Sequence, residues 1–271
     1  MTGRLGGPSE KDVGRLGGSL TFDRAAEYYD GTRSLSDEIE RSVGALAEEL
    51  AGRGACLEIG VGTGRMALPL HERGFDLVGL DLSMPMMVQL CAKSGGTVPF
   101  PLVQADATSM CFASDTFDAA YAIWVLHLIS GWRTVLDETM RVLRPNGALV
   151  IAFGGAFGTG PWAEISGRFR AVAEVSNLGA SGVEEIDVAM RDRGCEVHVL
   201  EDLRTHHEVT PAEILRRLEE GTYSFTWMVD DATRVQAAGA VREWALERYG
   251  DLDTPLDNEF GAAWRRYEIP G

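Results

Sequence analysis

Gly60, Gly62 and Gly64 alternate within Cys56-Leu57-Glu58-Ile59-Gly60-Val61-Gly62-Thr63-Gly64-Arg65, where a short apolar run leads directly into a glycine turn and then a helical pattern. Glycine permits backbone angles closed to other residues and lets the main chain approach a ligand closely. A lone turn of this kind is shared by several nucleotide-binding designs, so its spacing has to discriminate. The dinucleotide pattern GxGxxG requires glycine where Arg65 stands, and Glu58 lies two positions before the first glycine. That spacing argues against a nicotinamide dinucleotide.

Such a turn needs a scaffold that brings strand ends together, and the patterning of the chain provides one. From Ala55 onward, short apolar segments at Cys56–Ile59, Leu77–Leu80, Leu102–Val103, Phe117–Ile123 and Ala148–Phe153 alternate with helical ones. This alternation predicts strand–helix units on a parallel sheet, with residues 55–153 as the core. Residues 1–20 repeat GRLGG with few large apolar groups and are expected as a flexible leader. Leu35, Ile39, Val43 and Leu46 form one apolar stripe, so residues 21–54 are expected as an N-terminal helical lid. Residues 154–271 are expected to complete the sheet through Cys195–Leu200 and Ala262–Ile269, and to insert helices at Pro211–Glu219 and Asp231–Tyr249. Thr210 is the expected cap ahead of Pro211.

Composition narrows the partners. The 271 residues carry 41 acidic against 25 basic side chains, a net charge of -16, with 45% hydrophobic content. A sizeable core is within reach. A phosphate backbone is repelled unless cations gather in one patch, and none is visible, so nucleic acid is not an expected partner. Apolar runs such as Ala119–Ile129 are too short to span a bilayer, and the N-terminus lacks the apolar stretch of a secretory signal. The expectation is a cytoplasmic chain without membrane insertion, as a monomer or homodimer. Cys56, Cys91, Cys111 and Cys195 lie far apart and form no CxxC pair, which argues against structural zinc and iron–sulfur chemistry; no metal is expected.

The glycine turn, Val78-Gly79-Leu80-Asp81-Leu82-Ser83, Val103-Gln104-Ala105-Asp106-Ala107, the run Phe117–His127 and Arg141-Val142-Leu143-Arg144-Pro145-Asn146-Gly147 together resemble the class I S-adenosylmethionine-dependent methyltransferases. The likeness is to the small-molecule branch similar to ubiquinone and menaquinone biosynthesis enzymes, and it runs from about Phe22 to Phe153. It implies an α/β, Rossmann-like fold: a mostly parallel seven-stranded sheet with helices on both faces and a C-terminal helical insertion that binds the acceptor. Asn146 departs from the family's glycine, but Asn also tolerates the left-handed conformation.

By resemblance, S-adenosyl-L-methionine is the cofactor and S-adenosyl-L-homocysteine the product. Glu58, Gly60, Gly62 and Gly64 fall where the family holds the methionine part, and Glu58 as a structural carboxylate stays open. Asp81 falls on the ribose position, where one carboxylate can accept from two hydroxyls. Leu82 falls on an adenine face, and Asp106 and Ala107 on the adenine edge, with Asp106 as a helix cap the alternative. Ile123 and Trp124 would line the cleft. Tyr29 and Arg33 belong to a YDxxR-like segment over the cofactor, where a guanidinium would pair with the methionine carboxylate.

Methyl transfer from a sulfonium is an in-line displacement, to which alignment and exclusion of water contribute most. His127, just after the fourth strand, is the candidate general base, with a structural role as the alternative. His206 and His207 would point to opposite faces if they sit in a strand. Trp162, Phe157, Tyr223, Phe225 and Trp227 are candidates for an apolar acceptor wall. No [DN]PPY follows the fourth strand, so a small organic metabolite methylated on oxygen or carbon is favoured over nitrogen. The alternatives left open are a non-catalytic cofactor-binding or regulatory protein and a nicotinamide oxidoreductase.

Overall fold

The computed structural model describes residues 15–16, 19–32 and 36–271. They divide into two compact units: residues 15–155, 178–203 and 262–271 form one, and residues 156–177 and 204–261 the other.

The larger unit is built on the expected alternation. Helix α1 (Ser36–Leu50) precedes strand β1 (Cys56–Ile59), and then come α2 (Ala67–Glu72), β2 (Leu77–Asp81), α3 (Met84–Lys93), β3 (Leu102–Gln104), β4 (Phe117–Ile123), α4 (Trp132–Val142) and β5 (Leu143–Phe157). Strand β1 runs parallel to β2, with Cys56 opposite Leu77 and Ile59 opposite Leu80, and parallel to β4, with Cys56 opposite Ala119. Strand β3 continues in parallel on β2, and β5 on β4.

Further along the chain lie α5 (Pro161–Val172), α6 (Val183–Asp192), β6 (Glu196–Val199), β7 (Leu203–Val209), α7 (Pro211–Glu219), α8 (Asp231–Tyr249) and β8 (Leu256–Glu268). The strand order is β3-β2-β1-β4-β5-β8-β6, and β8 runs antiparallel to β6. Seven strands form this path as expected, and β7 adds an eighth by pairing with β8.

Side chains alternate between two faces of the sheet. On β4, Phe117, Ala120 and Ala122 join a core with Trp132, Val135 and Leu136 of α4 and Ile186 and Met190 of α6. Ala119, Tyr121 and Ile123 of the same strand join a second core with Val43 and Leu46 of α1 and Leu70 of α2. Both faces of the sheet are therefore covered by helices, the condition under which parallel strands read as near-continuous apolar runs. Between α4 and the rest of β5 the chain turns at Asn146, whose φ of 62° is the left-handed conformation expected at the glycine substitution.

Ser19 and Leu20 are buried and pair with Arg15–Leu16, while residues 1–14 and 17–18 lie outside the described residues. The burial comes from the sheet unit itself, since Ser19 also bridges to Ile129.

In the smaller unit, α5, α7 and α8 pack around Ile165, Phe169, Ile214, Leu215, Leu218, Val241 and Ala245. Thr210 accepts from the Glu213 N–H and Pro211 opens α7, so the cap and proline act as anticipated. Asp230 caps α8 in the same way through Thr233.

Candidate functional site

The chain leaves β1, travels outward through β2 and β3, and returns to β4 on the other side of β1. At such a reversal the loops at the carboxyl ends of neighbouring strands diverge and leave a crevice. Here that crevice is an open cleft of about 690 Å³ when its solvent-filled mouth is counted. Its walls combine strand-end residues Ile59, Gly60, Leu80, Asp81 and Ile123 with Gly62, Leu82, Asp106, Ala107 and Trp124.

The glycine turn is tied to the neighbouring strand. The Gly60 and Val61 N–H groups both donate to the Leu80 carbonyl, at 2.8 and 3.0 Å. Gly62 has φ 52° and Gly64 φ 75°, conformations that L side chains rarely adopt. The two glycines serve different ends. Gly62 lies on the cleft wall, whereas a side chain on Gly64 would meet Leu90 Cγ at 2.7 Å and Leu68 Cγ at 2.9 Å, inside the packing of the helices.

Asp81 sits at the end of β2 with both carboxylate oxygens engaged. Oδ2 accepts from the Gly62 N–H at 2.7 Å and Oδ1 from the Ser83 N–H at 2.8 Å. Burial raises its pKa, and the N–H donors of Ser83, Gly62 and Leu82 act against that rise. One side chain thus links the glycine turn to the loop that starts α3, where Ser83 caps the helix by accepting from Met86 N–H.

Asp106 also lines the cleft, but its Oδ1 accepts from the Thr108 N–H at 2.9 Å and the Thr108 hydroxyl at 2.8 Å. The carboxylate thus closes a local turn, and because no helix follows before β4 the helix-cap alternative does not hold. Among the described residues no hydrogen bond engages its Oδ2.

Glu58 is not on the wall. It is 3% exposed beneath the turn, where Oε2 accepts from the Tyr121 hydroxyl at 3.1 Å and the carboxyl also accepts from the Ala67 backbone N–H. It ties β1 to β4 and to the first turn of α2, which is the structural-carboxylate reading. Burial pushes its pKa well above the usual carboxylate range, ahead of the opposing Tyr121 bond.

A raised folded-state pKa gives a stability contribution that is complete below the unfolded-state value and is lost as pH rises through the folded one. Thermal unfolding of wild type and Glu58→Gln across acidic to alkaline pH should therefore show the difference moving in favour of the variant as pH rises. A difference independent of pH would contradict it.

His127 lies in a short 3-10 turn, Leu126–Leu128, and is absent from the cleft wall. Its carbonyl accepts from the Gly179 N–H at 2.9 Å, and its ring packs edge-on to Phe153 at 5.9 Å between centroids. The turn directs Val125, Leu128 and Ile129 to the cleft instead. His127 therefore lies off the cleft wall with its ring against Phe153, the arrangement of its structural alternative.

Tyr29 lines the cleft, while Arg33 lies outside the described residues. Wall residues not foreseen are Ser19, Leu20, Phe22, Ile59, Leu80, Met86, Ala105, Val125, Leu128 and Ile129. The tail of the apolar run Ala119–Ile129 was the available signal for the last three. The first three had no local signal, because the long-range pairing of Ser19 with Ile129 positions them.

In the smaller unit, Trp162, Tyr223 and Phe225 do meet: Trp162 lies 4.4 Å from Tyr223, and Tyr223 stacks on Phe225 at 5.9 Å. Trp227 is buried, with its indole N–H donated to the Gly221 carbonyl at 2.6 Å. The Phe157 side chain lies outside the described residues. On β7, His206 is exposed beside Asp257, at 3.3 Å, and His207 is half-buried, with burial lowering its pKa. Among the described residues no group of three His, Cys, Asp or Glu side chains is placed to hold a metal ion, and no helix is long and apolar enough to cross a membrane.

The methyltransferase-domain family matches residues 57–151, the stretch that builds most of the cleft. The O-methyltransferase resE of Aspergillus sclerotiorum is 31% identical over 173 residues, 62% of this chain and 64% of that protein. The demethylmenaquinone methyltransferase of Clavibacter sepedonicus is 31% identical over 137 residues, 49% of this chain and 56% of that protein. The phosphatidylethanolamine N-methyltransferase of Cereibacter sphaeroides is 31% identical over 162 residues, 59% of this chain and 77% of that protein. The chain thus spans between about half and two thirds of the first two relatives and more of the third. Among solved structures, the YcgJ protein of Bacillus subtilis shares the fold, with a TM-score of 0.62 at 17% identity over 86% of this chain and 99% of that one. Taken with a cleft formed where the strand order reverses, this similarity shows that the chain belongs to the class I S-adenosylmethionine-dependent methyltransferases.

Proposed function

We propose that the cleft binds S-adenosylmethionine and that the chain transfers its methyl group to a small organic acceptor, on oxygen or carbon. The observation that carries the reading is Asp81. Its carboxylate, on the cleft wall, accepts from the Gly62 and Ser83 backbone N–H groups, and each oxygen retains acceptor capacity for one hydroxyl of a ribose diol.

The donor set fits the rest of the cofactor. Leu82, Ala107, Ile59 and Ile123 offer an apolar slot for a purine, and Asp106 offers an acceptor for its amino group. When bound, the cofactor supplies an electrophilic methyl carbon on a sulfonium. Phe22, Tyr29, Leu128 and Ile129 would exclude water from that carbon, and Asp81 would hold the nucleoside in one orientation.

The acceptor is read from two supports. The net charge of -16 opposes a nucleic-acid substrate. The resE relative is an O-methyltransferase, which supports oxygen, and the relative acting on phosphatidylethanolamine makes nitrogen the outcome to test against. Calorimetry should show S-adenosylhomocysteine binding at about micromolar affinity and little NAD binding. A screen of acceptors with methyl-labelled cofactor, read by mass spectrometry, should then give a singly methylated oxygen or carbon product. Preferential NAD binding would overturn the cofactor reading, and methylation confined to amines would overturn the acceptor reading.

A further inference from the structure

Arg65 follows the third glycine of the turn, and its guanidinium carbon lies 5.7 Å from the Tyr29 ring centroid and 5.7 Å from that of Trp124. Both rings line the cleft. Ring contacts of this kind leave the five N–H donors of a guanidinium available, and among the described residues Arg65 enters no ion pair or hydrogen bond. Asp30 accepts from the Thr63 hydroxyl at 2.6 Å and from Lys93 at 2.8 Å, Asp23 from the Ser83 hydroxyl, and Asp81 from the two backbone N–H groups.

Trp124 has φ 55°, a conformation sparsely populated by bulky residues and retained where the surroundings enforce it. Its N–H donates to the Ala152 carbonyl at 2.9 Å, so the end of β4 is held in the bend that sets the ring beside Arg65. The charged residues on the cleft wall itself are Asp81 and Asp106, both acidic. A ligand with an anionic end would be repelled there unless that end reached a cation.

We infer that Arg65 receives the carboxylate at the amino-acid end of the cofactor, with Tyr29 and Trp124 holding the guanidinium in place. The inference rests on the proposed S-adenosylmethionine reading of the cleft. It gives Arg65 the carboxylate contact that the resemblance implies for Arg33.

The test is calorimetry on the full chain with two probes: S-adenosylhomocysteine, and 5′-methylthioadenosine, which keeps the adenosine and thioether but lacks the amino-acid end. Arg65→Gln should weaken S-adenosylhomocysteine about ten- to hundredfold through loss of charge-assisted bonds. It should leave 5′-methylthioadenosine within about twofold, which also reports that the variant is folded. Arg65→Lys, which keeps the charge without the planar fork, should recover part of the loss. Equal weakening of both probes, no weakening of either, or loss of the discrimination in Arg33→Gln instead would overturn the inference. If wild-type protein binds neither probe, the cofactor reading fails and the inference fails with it.

Discussion

Asp81→Ala should weaken S-adenosylhomocysteine binding by about 1–3 kcal/mol, or roughly five- to 150-fold, while the protein remains folded. In the proposed complex the carboxylate is the acceptor for the ribose diol, and it also fixes the Gly62 and Ser83 N–H groups that shape the wall. The substitution removes both effects. Asp81→Asn is expected to do nearly as much damage, since an amide has one acceptor oxygen while the site presents two N–H donors, so one donor would face an NH₂ group. Calorimetry on both variants checks this. Unchanged affinity in a well-folded Asp81→Ala protein would remove this residue from the site, and an Asp81→Asn protein near wild type would show that the two backbone bonds contribute little.

Gly64→Ala should lower stability by about 2–5 kcal/mol, combining the strain of a left-handed L residue with overpacking. The added methyl would lie 2.7 Å from Leu90 Cγ and 2.9 Å from Leu68 Cγ, and the backbone is held at φ 75°. Urea denaturation should show a lower midpoint with an unchanged slope. Because Gly64 is not on the cleft wall, ligand affinity measured on the folded fraction should change little. Adding Leu90→Ala should restore part of the loss through direct coupling, so the two changes would not be additive. Normal stability with weakened cofactor binding would instead make Gly64 the ligand contact that the family resemblance implies.

These two substitutions mark the line between what is legible locally and what is not. The alternating glycines, the acidic residue at the end of β2, the left-handed turn at Asn146 and the cap at Thr210 were all readable from the chain, because each depends on residues within a few positions. The strand alternation was readable for a similar reason: strands buried on both faces appear as short apolar runs between helical patterns.

Partnership across distant segments was not readable. Glu58 and Asp81 are both acidic residues at parallel strand ends, yet Tyr121 and Ala67 claim Glu58 beneath the turn while Gly62 and Ser83 keep Asp81 on the wall. His127 follows the fourth strand as a base would, but the turn that bonds to Gly179, 52 positions away, directs Val125, Leu128 and Ile129 to the cleft instead. Ser19, Leu20 and Phe22 carry no local mark of a site and reach it through the pairing of Ser19 with Ile129. Sequence by itself determined the family, the strand order's raw material and the residue types able to hold a nucleoside, since short-range patterning encodes them. Only the tertiary structure decided which of those residues face the cleft, because facing is set by burial and hydrogen-bond competition between segments that the chain separates.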